Sequence, residues 1–241
     1  MMTLTWPSKK PRTWWVIFWN VLTSELTNDP MNPNQASSQA LRVGLYFGSF
    51  NPIHLGHLVI ANHMLNLADL DEVWFVVTPS SPHKQQASMI PEGHRLQMAR
   101  LALADHPNLK AMDVEFNLPR PNYTADTMEY LREAHPSVVF SIIMGQDNLE
   151  SFHTWKNHED LVASHRMLIY PRLTQGSSEA AADAAAWLAH DHVEWHEAPI
   201  IAISSTYVRD AITAGHDVQF LLPDAVVAYI GNNRFYEEVE G

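Results

Sequence analysis

The run Gly48-Ser49-Phe50-Asn51-Pro52-Ile53-His54-Leu55-Gly56-His57 carries two imidazoles three residues apart. On a helix, that spacing puts both rings on one face of the first turn. Gly48 predicts a sharp backbone turn. Pro52 fixes the chain ahead of the helix, and Gly56 leaves room for a ligand to approach. The exposed N–H groups of a helix start attract anions, and imidazoles beside them add donors. Phosphate binding is the chemistry such an arrangement serves. A zinc pair, or two surface histidines on a helix, are the competing readings.

A second run, Ile203-Ser204-Ser205-Thr206-Tyr207-Val208-Arg209, puts hydroxyls at a helix start with a guanidinium about one turn later. Hydroxyls there either cap the helix or hold phosphate. Taken alone, it reads as an ordinary cap followed by a surface arginine. Three shorter segments add polar groups: Pro82-His83-Lys84, Tyr123-Thr124-Ala125-Asp126-Thr127, and Gly145-Gln146-Asp147 with Trp155 beyond it. A lysine beside a phosphate site offsets acidity locally. Thr124 suits a helix cap. A carboxylate just past a strand can bind ribose hydroxyls, and a tryptophan can stack on a flat ring.

These residues need elements to position them. From Arg42 onward, apolar runs alternate with amphipathic stretches. Strands are predicted at 42–47, 73–77, 109–116, 138–143, 167–170 and 200–203. Helices are predicted at 55–67, 91–104, 124–134, 179–189, 205–213 and 223–230, with short ones near Asn148 and over 159–163. Such alternation means an α/β fold, a doubly wound parallel sheet with helices on both faces and a small C-terminal helical part. Sites in these sheets lie at the carboxyl ends of strands, near the point where strand order reverses.

Composition narrows the function further. The chain has 241 residues, no cysteine, 15 Lys and Arg against 27 Asp and Glu, and 14 histidines. No disulfide, thiolate metal site or cysteine nucleophile is possible. A net charge of −12 argues against sequence-independent nucleic-acid binding. Residues 1–40 stand apart: a basic cluster, the apolar run Trp14–Trp19, then a polar, turn-rich stretch. The apolar run is far short of the roughly 20 residues that span a bilayer. This segment reads as an extension, disordered or non-native, with Met31 a candidate start and docking or targeting as alternatives. Residues 41–241 read as the catalytic domain.

The first motif resembles the signature of the nucleotidyltransferase superfamily that transfers AMP or CMP from a nucleoside triphosphate, whose cores are Rossmann-like. The second resembles that superfamily's Ile-Ser-Ser-Thr-x-x-Arg signature. With Pro-His-Lys, Tyr-Thr-x-Asp-Thr and Gly-x-Asp followed by Trp, residues 41–236 resemble bacterial nicotinate-nucleotide adenylyltransferase. That resemblance implies AMP transfer from ATP to nicotinate mononucleotide, giving deamido-NAD and pyrophosphate. It implies ATP binding by Gly48, Ser49, Phe50, His54 and His57. Gly145 and Asp147 would meet the ATP ribose, and Ser204, Ser205, Thr206 and Arg209 the β- and γ-phosphates. Asn51, Lys84, Tyr123, Thr124 and Trp155 would hold the mononucleotide, Trp155 by stacking on its ring. His54, His57, Lys84 and Arg209 would carry catalysis, with Mg²⁺ held mainly by ATP phosphates and no metal ligands from the protein. A cytoplasmic enzyme without nucleic-acid or membrane partners is the expectation, with homo-oligomer assembly left open. Nicotinamide mononucleotide or phosphopantetheine is the alternative acceptor. A histidine-rich metal binder is the alternative of another class. A dinucleotide-binding oxidoreductase is disfavoured, since no Gly-x-Gly-x-x-Gly follows a strand.

Overall fold

Apolar runs without polar alternation form strands that are covered on both faces. A computed structural model describes residues 40–80, 89–172 and 178–238 of the chain. It shows six parallel strands: β1 (Leu41–Gly48), β2 (Glu72–Val77), β3 (Leu109–Met112), β4 (Val138–Gly145), β5 (Arg166–Tyr170) and β6 (Val193–Trp195). Their spatial order is β3-β2-β1-β4-β5-β6. Strand order therefore reverses between β1 and β4, and the two strands pair from Leu41↔Val138 to Tyr46↔Ile143. This is the doubly wound order of a Rossmann-like sheet, with its crevice at the β1–β4 boundary.

The helices are α1 (Leu55–Leu67), α2 (Glu92–Leu103), α3 (Thr124–Ala134), α4 (Gln146–Leu149), α5 (His158–Ser164), α6 (Ser178–Leu188), α7 (Ser205–Thr213) and α8 (Asp224–Asn233). Successive strand side chains point to opposite faces, so two cores form. Tyr46, Val73, Phe75, Val77 and Ile143 join Ile60, Met64, Leu96, Val208 and Ile230 on one face. Val43, Leu45, Trp74, Ile142 and Met144 join Met128, Leu131, Phe152 and Val162 on the other. Burying side chains such as Phe75 and Ile142 stabilises by about 1.5–3 kcal/mol each. The final helices belong to the first core, so the C-terminal part is packed under the site.

Two predicted elements differ. The expected strand over 109–116 stops at Met112, and Val114–Asn117 forms a 3₁₀ turn. That turn buries Glu115, a residue no sheet face would accept without partners. The expected strand at 200–203 is irregular, and the sixth strand is Val193–Trp195 instead. Ile200–Ile203 has the composition of a strand, but Val193–Trp195 holds the place beside β5, pairing as Met167↔Val193 to Ile169↔Trp195. The N-terminal segment to residue 39 and the loop 81–88 lie outside the described residues, as does most of the turn expected at 176–178.

Candidate active site

A cleft of about 620 Å³ opens at the carboxyl ends of β1 and β4. The first motif forms one wall. β1 ends at Gly48, and the chain reverses through Phe50, whose φ is +44°. The left-handed turn therefore falls on Phe50, not on Gly48 as the sequence suggested. Gly48 meets a different demand: a Cβ there would lie 2.8 Å from the Phe50 ring. Gly56 is likewise corrected. A Cβ would come within 3.0 Å of the His54 ring and 3.2 Å of Ile201, so the missing side chain gives the His54 ring its place.

His54 is the N-cap of α1 in extended conformation, and His57 lies within the first turn. The His54 N–H donates to His57 Nδ1 at 3.2 Å. The rings stack with centroids 3.7 Å apart. Phe50 and Tyr46 set their edges or faces against His57 at 5.0 and 6.1 Å. Tyr46 and Tyr170 share a buried hydroxyl–hydroxyl bond of 3.0 Å. His54 is buried, and its Nδ1 lacks a hydrogen-bond partner. Burial, and secondly the nearby charge of Arg172, push its pKa down to about 4. It is therefore a neutral imidazole at pH 7.

The second motif docks on the first. Ser204 caps α7 by accepting from the Tyr207 N–H at 3.1 Å, the plain role its position allowed. The Ser205 hydroxyl donates to the Pro52 carbonyl at 2.9 Å. Arg209 donates to the Asn51 carbonyl at 2.9 Å and to the Thr206 hydroxyl at 3.3 Å. Tyr236 donates to Asn51 Oδ1 at 2.8 Å. Two runs some 150 residues apart thus meet at one loop.

Tyr123 and Thr124 line the opposite wall with Trp155. Tyr123, not Thr124, is the N-cap of α3, and it makes no side-chain cap; Thr124 is the first helical residue. Lys156 pairs with Asp126 at 2.7 Å and lies 5.1 Å from the Tyr123 ring, tying the Trp155 segment to α3. Gly145 lines the cleft, but Asp147 does not. One Asp147 oxygen pairs with Arg172 at 3.1 Å and the other is buried without a partner. Lys84 lies outside the described residues.

The sequence reading missed Arg172, Arg95, Glu115 and Asn122. Arg172 stands two residues past β5 and lines the cleft, so the strand-end rule pointed to it. Arg95 on α2 is fully buried. Its guanidinium donates to the carbonyls of Ser49, Thr78, Pro79 and Ile90. It thereby joins the ends of β1 and β2 beneath the cleft. Nothing in its helical setting, Glu92 to Leu103, signals that task.

Several other histidines serve the backbone. His192, His158 and His165 each lie within 3.2 Å of a carbonyl. Among the described residues, no three His, Cys, Asp or Glu side chains converge as a metal set. Among the described residues, no helix is long and apolar enough to cross a membrane.

Comparison with known proteins agrees with the motifs. A family model described as Cytidylyltransferase-like matches residues 45–211. A protein of Flavobacterium johnsoniae named "Probable nicotinate-nucleotide adenylyltransferase" is 43% identical over 198 residues, covering 82% of this chain and 100% of its own. One of the same name from Bacteroides fragilis is 41% identical over 185 residues, covering 77% and 89%. The solved Plasmodium falciparum nicotinic acid mononucleotide adenylyltransferase complexed with NaAD shares the fold. Its TM-score is 0.67 at 21% identity, over 81% of this chain and 97% of that one. By its motifs, its fold and these relatives, the chain belongs to the nicotinate-nucleotide adenylyltransferases of the cytidylyltransferase-like family.

Proposed function

We propose that this protein transfers AMP from ATP to nicotinate mononucleotide, giving deamido-NAD and pyrophosphate. The observation that carries the reading is the docking of the second motif on the first. Arg209 and Ser205 brace the loop whose next residues are the paired imidazoles. The names of relatives that this chain matches over their full length support the same substrates.

In the step itself, a phosphate oxygen of the mononucleotide attacks the α-phosphorus of ATP. The bond to the bridging oxygen of the β-phosphate breaks, and pyrophosphate leaves. The attacking oxygen is already ionised at neutral pH, so no side chain needs to remove a proton. The protein's contribution is alignment and stabilisation of charge at the α-phosphate. His54 and His57 supply ring N–H donors, His54 as a neutral group. Arg209 and Lys84 supply positive charge. Trp155 stacks on the pyridine ring, Thr124 and the backbone near Trp155 hold its carboxylate, and Gly145 meets the ATP ribose, which Asp147 joins only on leaving its pair with Arg172. Mg²⁺ bound to the triphosphate would offset phosphate charge. Such an ion usually keeps several waters and takes substrate phosphates as ligands, so it asks few ligands of the protein. These substrates make the cytoplasm its place of work.

The test is pyrophosphate release by the purified protein with ATP and, in turn, nicotinate mononucleotide, nicotinamide mononucleotide and phosphopantetheine. Nicotinate mononucleotide should give the highest kcat/KM, and EDTA should suppress turnover until Mg²⁺ is restored. A clear preference for another acceptor would overturn the reading.

A further inference from the structure

Glu115 and Asn122 are buried polar residues on the cleft wall that the reaction above does not use. They are 1% and 5% exposed. Glu115 Oε1 accepts from the Thr127 hydroxyl at 2.7 Å, and Glu115 Oε2 accepts from nothing. Asn122 Nδ2 is committed to the Glu115 carbonyl at 3.0 Å, which fixes which way the amide faces. Its Oδ1 is also without a partner. A buried acceptor left unpaired is costly, and two on residues in contact are rare. Both belong to residues that line the cleft, so a small shift of the wall side chains lets a ligand carrying donors satisfy them.

Their place identifies the ligand. Glu115 interacts with Thr78, just past β2, and with Thr127 on α3. Asn122 is adjacent to Tyr123, and its N–H donates to the Ser80 carbonyl at 3.1 Å. The pair therefore stands between the strand ends, where phosphate is bound, and the Tyr123–Thr124 wall, where the ring is held. In a mononucleotide, ribose joins those two parts, and its hydroxyls are donors. Burial raises the Glu115 pKa, while the Thr127 and Thr78 hydroxyls oppose that rise by favouring the carboxylate.

We propose that Glu115 Oε2 and Asn122 Oδ1 form a hydroxyl-binding subsite for the ribose of the acceptor mononucleotide. This rests on the acceptor being a mononucleotide, as argued above. The subsite makes the enzyme select ribonucleotides over their deoxy counterparts, and it sets the sugar so that the phosphate faces ATP.

The experiment compares nicotinate mononucleotide with its 2′-deoxy and 3′-deoxy analogues on the unaltered enzyme and on E115Q. Loss of a hydrogen bond to a buried carboxyl group predicts a rise in KM of about fivefold or more for at least one analogue, with the KM for ATP unchanged. E115Q should bind the parent more weakly and discriminate less between parent and analogue. Equal KM values on the unaltered enzyme would overturn the proposal, since the two acceptors would then hold water only. That arm does not depend on whether E115Q folds. No turnover of nicotinate mononucleotide at all would sink the functional reading as well, so the two failures are distinguishable.

Discussion

The imidazoles of His54 and His57 stack with their planes 26° from parallel and their centroids 3.7 Å apart. Two positive charges at that separation repel by about 4 kcal/mol at an effective dielectric near 20. His54, neutral above about pH 4, therefore adds no charge to the pair at neutral pH. Donation by a neutral ring is compatible with charge stabilisation at phosphate, because a fixed N–H dipole acts without net charge.

Replacing His57 with Ala should lower kcat by about 100-fold or more, while the melting temperature changes little. Pyrophosphate release and circular dichroism on the same preparation measure both. Turnover within a few-fold of the unaltered enzyme would remove His57 from the reaction.

His54 also makes stability depend on pH. Folded, it takes up a proton near pH 4; unfolded, near its ordinary 6.5. Between those values the unfolded chain binds the extra proton, so acid favours unfolding. The contribution is complete above pH 6.5 and lost by about pH 4, at most about 3 kcal/mol. Denaturant unfolding at pH 7, 5.5 and 4 should show the decline, and His54→Asn should flatten part of it. The lowered pKa values of the half-buried His165 and His196 act in the same direction and remain in the variant.

Arg172→Gln separates the two causes of that depressed pKa. Desolvation is the larger and the Arg172 charge the smaller. Removing the charge should raise the His54 titration point, read from its imidazole NMR signals, without restoring 6.5. A full return to the ordinary value would mean that burial is not the main cause. The same change breaks the 3.1 Å pair with Asp147.

Much of the site was legible because its polar groups sit at strand ends in short, dense runs. Residues 48–57 and 204–209 meet as expected at the β1–β4 boundary. Helices at 55–67, 124–134 and 205–213 have the predicted limits, since periodicity and turn residues agree there. Ile200–Ile203 misled because β-branched composition does not say whether a neighbouring strand edge is available. Glu115 was hidden inside a segment read as strand. Arg95 was hidden because its partners are backbone carbonyls, which leave no mark in sequence.

Arg95→Met keeps the length of the side chain but removes every donor. Three carbonyls at the ends of β1 and β2, and that of Ile90 ahead of α2, lose a partner, and each unsatisfied buried acceptor costs about 1–3 kcal/mol. A loss of about 3 kcal/mol or more in unfolding free energy is expected, with a raised KM for ATP. Arg95→Lys should recover little, since one ammonium cannot span the fork. A variant as stable as the parent would show that water replaces the guanidinium.

The loop that presents the imidazoles is braced from far along the chain. Tyr236 holds Asn51 Oδ1 across 185 positions and Arg209 holds the Asn51 carbonyl across 158. During synthesis, the paired imidazoles are made early and the supports of the loop before them are made late. A chain still short of Tyr236 on the ribosome has that loop without its last tie. Order of translation thus sets when the start of α1 is held from both sides.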